Sequence, residues 1–326
     1  MNIDHTAQPR TGDGTPGGTA ALLSPQIRIR PGEYHALYED SAAVRDRLDQ
    51  AGNILDVDLV GPLLHGTEED ANRGTVARPT ILALSVACYE ESVPSPPDYL
   101  AGLSLGQVTA AHLAGCLTFA DALRMAYAMA AIEEAEFGGT ANGVYFYSQV
   151  DIPRLLAAAD ELVAQGHYLR PCAYLADDQV IMSGALAALA LLAGTAFRLG
   201  GAGVVIPHGP PAHCAMMAGV RRRFAAEFAP RDEVRDPVVP LICNLTTQPL
   251  RTREVVLAAL VDQYTTTVRW SDSLRRMAEL GVRDVVVPGP GAFLARSLRT
   301  TSVPLRVRSG TGVAVPVLPA GVGGDR

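Results

Sequence analysis

The residues best suited to chemistry in this sequence are a serine between two glycines and a few histidines. Ser104 stands in the segment GLSLG, two residues after Gly102 and two before Gly106. A short apolar run precedes the segment and a helical pattern follows it. Such glycines permit a tight strand-to-helix turn that presents the hydroxyl at a helix N-terminus, where free N–H groups stabilise an oxyanion. The pattern predicts a nucleophilic serine, with a purely structural turn as the alternative.

A nucleophilic serine needs a base, and seven histidines compete for this role. His208 and His213 lie in HGPPAH, a proline-rich loop after an apolar strand, where sites of α/β proteins gather. His112 follows Ser104 on the same helix and points poorly for proton transfer. We predict that His213 opens the next helix and is the base, with His208 as the alternative.

The surrounding elements predict an α/β fold. Short apolar runs alternate with helical patterns over 20–138 and 207–308, which favours an α/β-hydrolase-like large domain with a parallel sheet. The intervening 139–206 has the order β-α-β-β-α-β, which predicts an inserted ferredoxin-like subdomain and a ligand cleft between the two parts. Segments 1–19 and 309–326 are rich in Gly, Thr or Pro and are predicted to be disordered tails.

The spacing of apolar residues, together with the glycines and prolines that end helices and strands, predicts the individual elements. A first strand is expected at Ala21–Leu23. The other predictions that matter below are helices over Glu33–Gly52, Pro79–Glu91 and His213–Phe228, and strands over Val238–Cys243 and Val303–Val307.

Composition excludes several classes of function. The chain has 27 Lys+Arg against 34 Asp+Glu and a net charge of −7, which argues against nucleic-acid binding. No apolar run approaches the roughly 18 residues of a membrane span, and the N-terminal segment has no secretory signal. The five cysteines are scattered without a CxxC pair, which predicts reduced thiols in a cytoplasmic protein and no metal site.

Several motifs in order resemble one family. GLSLGQ, AGCLTFADALR, PPAHCAMM, VVPLICNLTTQPL, VDQYTTTVRW and ELGVRDVVVPGPGAFL are similar to segments of malonyl-CoA:acyl-carrier-protein transacylases and of polyketide synthase acyltransferase domains. The resemblance covers about residues 20–308. It implies a Ser104–His213 dyad that transfers acyl groups between thioesters through an acyl-serine.

The resemblance also assigns supporting roles. The backbone carbonyl of Gln263 would orient His213, and the N–H of Leu105 would form half of the oxyanion hole. The second N–H would come from the first loop, from Gln26 or Ile27. No bound cofactor is implied, because the substrate arrives on phosphopantetheine, either of an acyl carrier protein or of CoA.

Three departures from the family bear on the substrate. Met129 replaces the arginine that grips a malonyl carboxylate, and Leu103 replaces the histidine before the serine. A carboxylate buried there without a cation would be costly, so we expect an apolar pocket without a cation and a neutral acyl group. Ala212, before the base, leaves extra room in this pocket. Arg78 replaces a glutamine, and the sequence leaves open whether it reaches the cleft or lies on the surface.

The resemblance implies an acyl carrier protein as partner. Because carrier proteins are acidic, docking requires a local basic face. The candidates are Arg221, Arg222, Arg223, Arg275, Arg276, Arg296 and Arg299. The leading interpretation is an acyltransferase that moves a non-malonyl group, with aminoacyl and dipeptidyl groups of macrolactam pathways as examples. An editing hydrolase of acyl carrier proteins and a catalytically silent docking module are the alternatives.

Overall fold

The computed structural model describes residues 18–207 and 209–308. The predicted disordered tails lie outside these residues, except that Gly18 and Thr19 already belong to a strand. The first strand therefore starts earlier than the predicted Ala21.

The described strands form a six-stranded and a five-stranded sheet. In chain order they are β1 (Gly18–Leu23), β2 (Tyr99–Gly102), β3 (Asn142–Ser148), β4 (Leu169–Ala176), β5 (Gln179–Ala185), β6 (Ala202–Val205), β7 (Leu241–Ile242), β8 (Pro249–Leu250), β9 (Val268–Arg269), β10 (Val282–Val286) and β11 (Arg306–Arg308). The larger sheet has the order β11-β10-β1-β2-β7-β8 and is parallel except for the β7–β8 pair.

Helices precede and follow these strands throughout the described chain. They are α1 (His35–Asp40), α2 (Ala42–Leu55), α3 (Val60–Leu64), α4 (Glu68–Asn72), α5 (Gly74–Ser92), α6 (Leu105–Leu113), α7 (Phe119–Phe137), α8 (Ile152–Ala164), α9 (Leu186–Arg198), α10 (Ala218–Glu227), α11 (Arg253–Asp262), α12 (Trp270–Glu279) and α13 (Ala292–Arg299). A short 3₁₀ helix, Ala215–Met217, precedes α10.

The smaller sheet has the order β6-β3-β5-β4-β9. Its first four strands pair antiparallel and are connected through α8 and α9, which is the ferredoxin-like arrangement. The fifth strand, β9, comes from the larger part of the chain and pairs parallel with β4. The predicted fold class, an α/β protein with a small inserted subdomain, is confirmed.

Apolar patterning explains why the central elements lie where they do. Residues Ala20–Leu23 of β1 are at most 1% exposed, as expected for a parallel strand covered on both faces. Helix α5 is apolar all round and is buried from Ile81 to Ala87. A second core, around Tyr147 and Leu189, belongs to the smaller sheet and its helices.

Several predicted boundaries were wrong for identifiable reasons. The helix predicted over Glu33–Gly52 is two helices, because Ser41 is extended and its hydroxyl accepts from Val44 N to cap α2. Helix α5 begins at Gly74, upstream of Pro79, since Val76 and Ala77 extend its buried face.

Prolines shorten two of the predicted strands, because a proline has no N–H to donate to a ladder. The strand predicted over Val238–Cys243 is reduced to β7, which starts after Pro240. The last strand starts after Pro304 and runs to Arg308.

Candidate active site

Ser104 lies in the sharp turn between β2 and α6. Its backbone has φ 55° and ψ −113°, a strained conformation for a residue with a side chain. The two glycines make the turn possible: a Cβ on Gly102 would lie 1.9 Å from the carbonyl carbon of Gly106, and one on Gly106 would lie 2.2 Å from Leu23 O. The local sequence therefore produces the strand–turn–helix geometry that the motif predicted.

The Ser104 hydroxyl lies beside the His213 ring. Ser104 Oγ is 2.8 Å from His213 Nε2, and His213 Nδ1 is 2.6 Å from the backbone carbonyl oxygen of Gln263. A carbonyl can only accept, so Nδ1 carries the ring proton in the neutral imidazole. Nε2 is then free to accept the proton of the serine hydroxyl.

Backbone contacts to both parts of the molecule hold His213 in place. Cys214 N donates to Tyr264 O at 3.1 Å, and Ala212 N donates to the Ser183 hydroxyl of β5 at 3.0 Å. His213 itself has φ 50°. The prediction that it opens a helix was wrong, because this left-handed conformation and the extended Cys214 keep it in the loop before the 3₁₀ helix.

The electrostatics of the site favour a neutral imidazole. Burial, with a smaller contribution from the positive charge of Arg78, lowers the pKa of His213 to about 4, against the opposing effect of the hydrogen bond to Gln263. At neutral pH the ring is therefore uncharged and competent as a proton acceptor.

Two cavities adjoin at this serine. A cleft of about 430 Å³ runs from Ser104 and His213 along apolar side chains that include Phe146, Ile181 and Phe293. A small lobe of about 50 Å³ shares Ser104 and His213 with the cleft. The lining of the lobe consists of Gln26, Arg78, Ser104, Leu105, Met129, Glu133, Ala212, His213, Met217, Gln263 and Tyr264.

Arg78 reaches the site, so the prediction of a pocket without a cation was wrong. Its side chain lines both cavities and is paired with Glu133. The cation enters from α5, whereas the position matched to the family's arginine, Met129, lies on α7. The pocket therefore contains a cation even though position 129 is a methionine and not an arginine.

Most of the predicted site residues converge on these cavities. Leu103 and Ala212 line the cleft, and Leu105, Met129 and Gln263 line the lobe.

Both candidates for the second oxyanion donor, Gln26 and Ile27, line the cleft. His208, the alternative base, lies outside the described residues.

Of the predicted docking arginines, only Arg296 lines the cleft. Arg221 pairs with Asp262, and Arg275 pairs with Asp177 and Asp272. Arg222 and Arg299 are exposed.

Sequence reasoning missed Glu133, Tyr264 and Arg30. Glu133 follows Met129 by one helical turn and so shares its helix face, a signal that spacing alone could have given. Tyr264 adjoins Gln263, and Arg30 lies with Arg296 among the cleft residues.

The described residues offer neither a membrane span nor a metal site. No helix in this part of the chain combines the length and the apolar character needed to cross a bilayer. Across residues 18–207 and 209–308, no three His, Cys, Asp or Glu side chains are grouped so that they could hold a metal ion.

Fold and site together define a class. A parallel α/β sheet presents a serine on a strand–turn–helix elbow, an inserted ferredoxin-like sheet closes the other side of the cleft, and a histidine held by a backbone carbonyl contacts the serine. This is the geometry of an enzyme that forms an acyl-serine.

Comparison with known proteins identifies the family. The chain is 30% identical over 257 residues to the malonyl CoA-acyl carrier protein transacylase of Escherichia coli K12, covering 77% of this chain and 82% of the relative. It therefore belongs to the malonyl-CoA:acyl-carrier-protein transacylase family, as its motifs predicted. No protein-family model matches the chain.

Two further relatives place the family in context. The polyketide biosynthesis protein ThaF of Burkholderia thailandensis is 29% identical over 259 residues, which cover 78% of this chain and 22% of that much longer protein. A solved type II polyketide synthase malonyl-transacylase, in complex with its acyl-carrier protein, superimposes with a TM-score of 0.81 at 25% identity, covering 89% of this chain and 94% of that chain.

Proposed function

We propose that the protein transfers an uncharged, non-malonyl acyl group to an acyl carrier protein in polyketide biosynthesis, through an ester on Ser104. Aminoacyl and dipeptidyl groups of macrolactam pathways belong to this substrate class. The observation that carries the proposal is the 2.8 Å contact between Ser104 Oγ and His213 Nε2, with Nδ1 bound to Gln263 O.

The geometry supports a two-step transfer. In the first step His213 Nε2 takes the hydroxyl proton while Ser104 Oγ attacks the thioester carbonyl carbon; the C–S bond breaks, and the imidazolium returns the proton to the departing sulfur. In the second step His213 deprotonates the acceptor thiol, whose sulfur attacks the ester. The C–O bond then breaks and Ser104 recovers its proton.

The tetrahedral intermediate of each step places a negative charge on the former carbonyl oxygen. Leu105 begins α6, and its backbone N–H lies at the positive end of the helix dipole. Gln26 and Ile27, in the loop after β1, are the candidates for the second donor. We assign the oxyanion hole to Leu105 and one of these two residues.

The lobe beyond Ser104 supports an uncharged acyl group. Its cation, Arg78, is already matched by the carboxylate of Glu133, and Met129 and Met217 supply apolar surface. A second carboxylate in this small buried space would face Glu133 without a free cation, which is unfavourable.

The partner we propose is an acyl carrier protein that presents its substrate on phosphopantetheine, with an acyl-CoA as a further donor. The relative solved with its acyl-carrier protein supports this choice. The long apolar cleft would hold the pantetheine arm, and Arg30 and Arg296 line it. No bound cofactor is required by these steps.

Intact-mass analysis of the protein tests the proposal. After incubation with acyl-pantetheine donors, a mass increase equal to the acyl group should appear on the wild type and not on Ser104→Ala, and it should move to a holo carrier protein. Release mainly as free acid would instead support an editing hydrolase. No adduct with any neutral donor, together with unchanged pathway output for Ser104→Ala, would support a silent docking module and overturn the proposal.

A further inference from the structure

The least expected feature of the lobe is a buried ion pair between two facing helices. Arg78 of α5 and Glu133 of α7 have side chains that are only 12% and 7% exposed. Arg78 Nη1 donates to Glu133 Oε1 at 2.9 Å, Arg78 Nη2 donates to Oε2, and Arg78 Nε donates to Gln26 Oε1 at 2.8 Å. The guanidinium is therefore held from two sides.

This two-point contact is the one that a guanidinium makes with any carboxylate ligand. Glu133 thus takes, from within the chain, the place that a substrate carboxylate would take. Burial lowers the pKa of Arg78, but the neighbouring groups, Glu133 first among them, raise it above its usual value, so the guanidinium keeps its charge at neutral pH.

We propose that Glu133 is a specificity-determining residue that excludes carboxylated acyl groups by occupying the guanidinium of Arg78. The inference rests on the proposed function, because it names what the acyl lobe of that same site accepts. Both residues line the lobe together with Ser104, so the tail of a short acyl ester would lie against this pair. A malonyl group would have to displace Glu133 or remain unpaired beside it.

Tyr264 is a further polar residue in the lining of the lobe. The residue is 4% exposed, and its hydroxyl has no hydrogen-bond partner among the described residues. Burial raises the pKa of this phenol, and the charge of Glu133 adds to the effect, so the hydroxyl stays protonated. A protonated, unpartnered hydroxyl can donate a hydrogen bond to an oxygen of the acyl group, whether that oxygen is neutral or charged, so the discrimination against a carboxylate rests on Glu133.

Two acyl donors that differ only in the charge of the terminal group measure the preference for an uncharged acyl group directly. Malonyl-pantetheine and malonamyl-pantetheine have nearly the same shape, but the terminal group is a carboxylate in the first and a neutral amide in the second. Wild-type protein should load Ser104 with malonamyl at a kcat/KM about tenfold or more above that for malonyl, the factor expected from one charged hydrogen bond.

Glu133→Ala frees the guanidinium, and Glu133→Gln leaves it with only a neutral acceptor. Each should raise kcat/KM for malonyl-pantetheine about tenfold or more, and Arg78→Gln/Glu133→Gln should abolish that gain. Glu136→Gln removes the same charge from an exposed position of the same helix and should leave the preference unchanged. Formate should compete with malonyl in Glu133→Ala by filling the vacated place, and it should raise the Tm of that variant even where turnover is low.

The outcomes separate this inference from the proposed function. Glu133 variants that fold and load malonamyl, yet reject malonyl as the wild type does and do not respond to formate, would overturn the role of Glu133 and leave the acyl-serine proposal intact. A wild type that loads malonyl as well as malonamyl would overturn the inference and the uncharged substrate together. A wild type that loads neither of these nor any other neutral acyl donor would overturn the acyl-serine proposal itself.

Discussion

At the scale of residues, the site is organised around neutral and matched groups. His213 is uncharged, its orienting partner is a backbone carbonyl and not a carboxylate, and Arg78 is compensated by Glu133. Burial makes each of these choices matter, since charges interact strongly where water is excluded. In the proposed mechanism Ser104 is thus activated by position and hydrogen bonding more than by a strong local field.

The depressed pKa of His213 gives a pH dependence with a definite sign. Between pH 6.5 and about 4 the unfolded chain binds a proton at this residue and the folded protein does not, so acid lowers the free energy of unfolding. We expect a loss of about 2 kcal/mol from this group between pH 7 and pH 5. Urea unfolding of wild type and His213→Asn at both pH values measures it, and the variant should lose correspondingly less.

The low pKa of His213 should also keep the enzyme active at a pH where its stability has already fallen. Because His213 stays neutral until about pH 4, single-turnover acylation of Ser104 should persist at pH 5, where an ordinary histidine would be protonated. A half-maximal rate near pH 6.5 would contradict this assignment of the base.

At the scale of elements, the turn between β2 and α6 is the most constrained segment of the site. A Cβ at Gly102 would lie within 2.2 Å of backbone atoms of Gly106 and Gln107, which cannot move without displacing the start of α6. Ser104 therefore owes its position to the close packing of its flanking glycines as much as to its own strained backbone.

Gly102→Ala should consequently abolish acylation of Ser104 and lower the free energy of unfolding by about 3 kcal/mol or more, in line with overpacked cores. Gly194→Ala is the matched control. Gly194 is exposed within α9, where the nearest atom to an added Cβ is 3.7 Å away on the flexible side chain of Arg198. There alanine should stabilise the helix by about 0.5–1 kcal/mol and leave activity unchanged, as thermal unfolding and intact mass would report.

The elements also show what a sequence can and cannot predict. Ser104 was predictable because local spacing encodes its turn, and the β-α-β-β-α-β order was predictable because each element carries its own period. The Arg78–Glu133 pair was not, since its partners are 55 residues apart and meet only through the packing of α5 on α7. Met129 suggested an uncharged pocket, but the charge pattern of a pocket depends on all elements that surround it.

At the scale of the whole molecule, a net charge of −7 has to be reconciled with an acidic partner. Overall repulsion slows encounter, so productive docking requires arginines near the entrance of the cleft. Arg30 and Arg296 line that cleft, and Arg299 follows Arg296 on α13. We propose that these arginines form a local basic face for the carrier protein.

Reversing a charge on this face should weaken binding of the carrier protein and leave the acylation of Ser104 by a small donor unchanged. For Arg299→Glu we expect KM for an acyl carrier protein to rise about five- to tenfold at low salt, with kcat/KM for the matching acyl-pantetheine unchanged. Arg235→Glu, at an exposed arginine that lines neither cavity, is the control. An equal rise of KM in the control would assign the effect to net charge and contradict docking at this face.

The pairing of β9 with β4 joins the two parts of the molecule across the cleft, through Val268 beside Ala173 and Arg269 beside Tyr174. The Thr267 hydroxyl adds a second tie by donating to Pro171 O at 3.0 Å. Wide separation of the two parts of the molecule would break the backbone hydrogen bonds between β4 and β9. We therefore expect the acyl group to reach Ser104 at the end of a narrow, flexible arm while the two parts of the molecule stay joined at this strand pair.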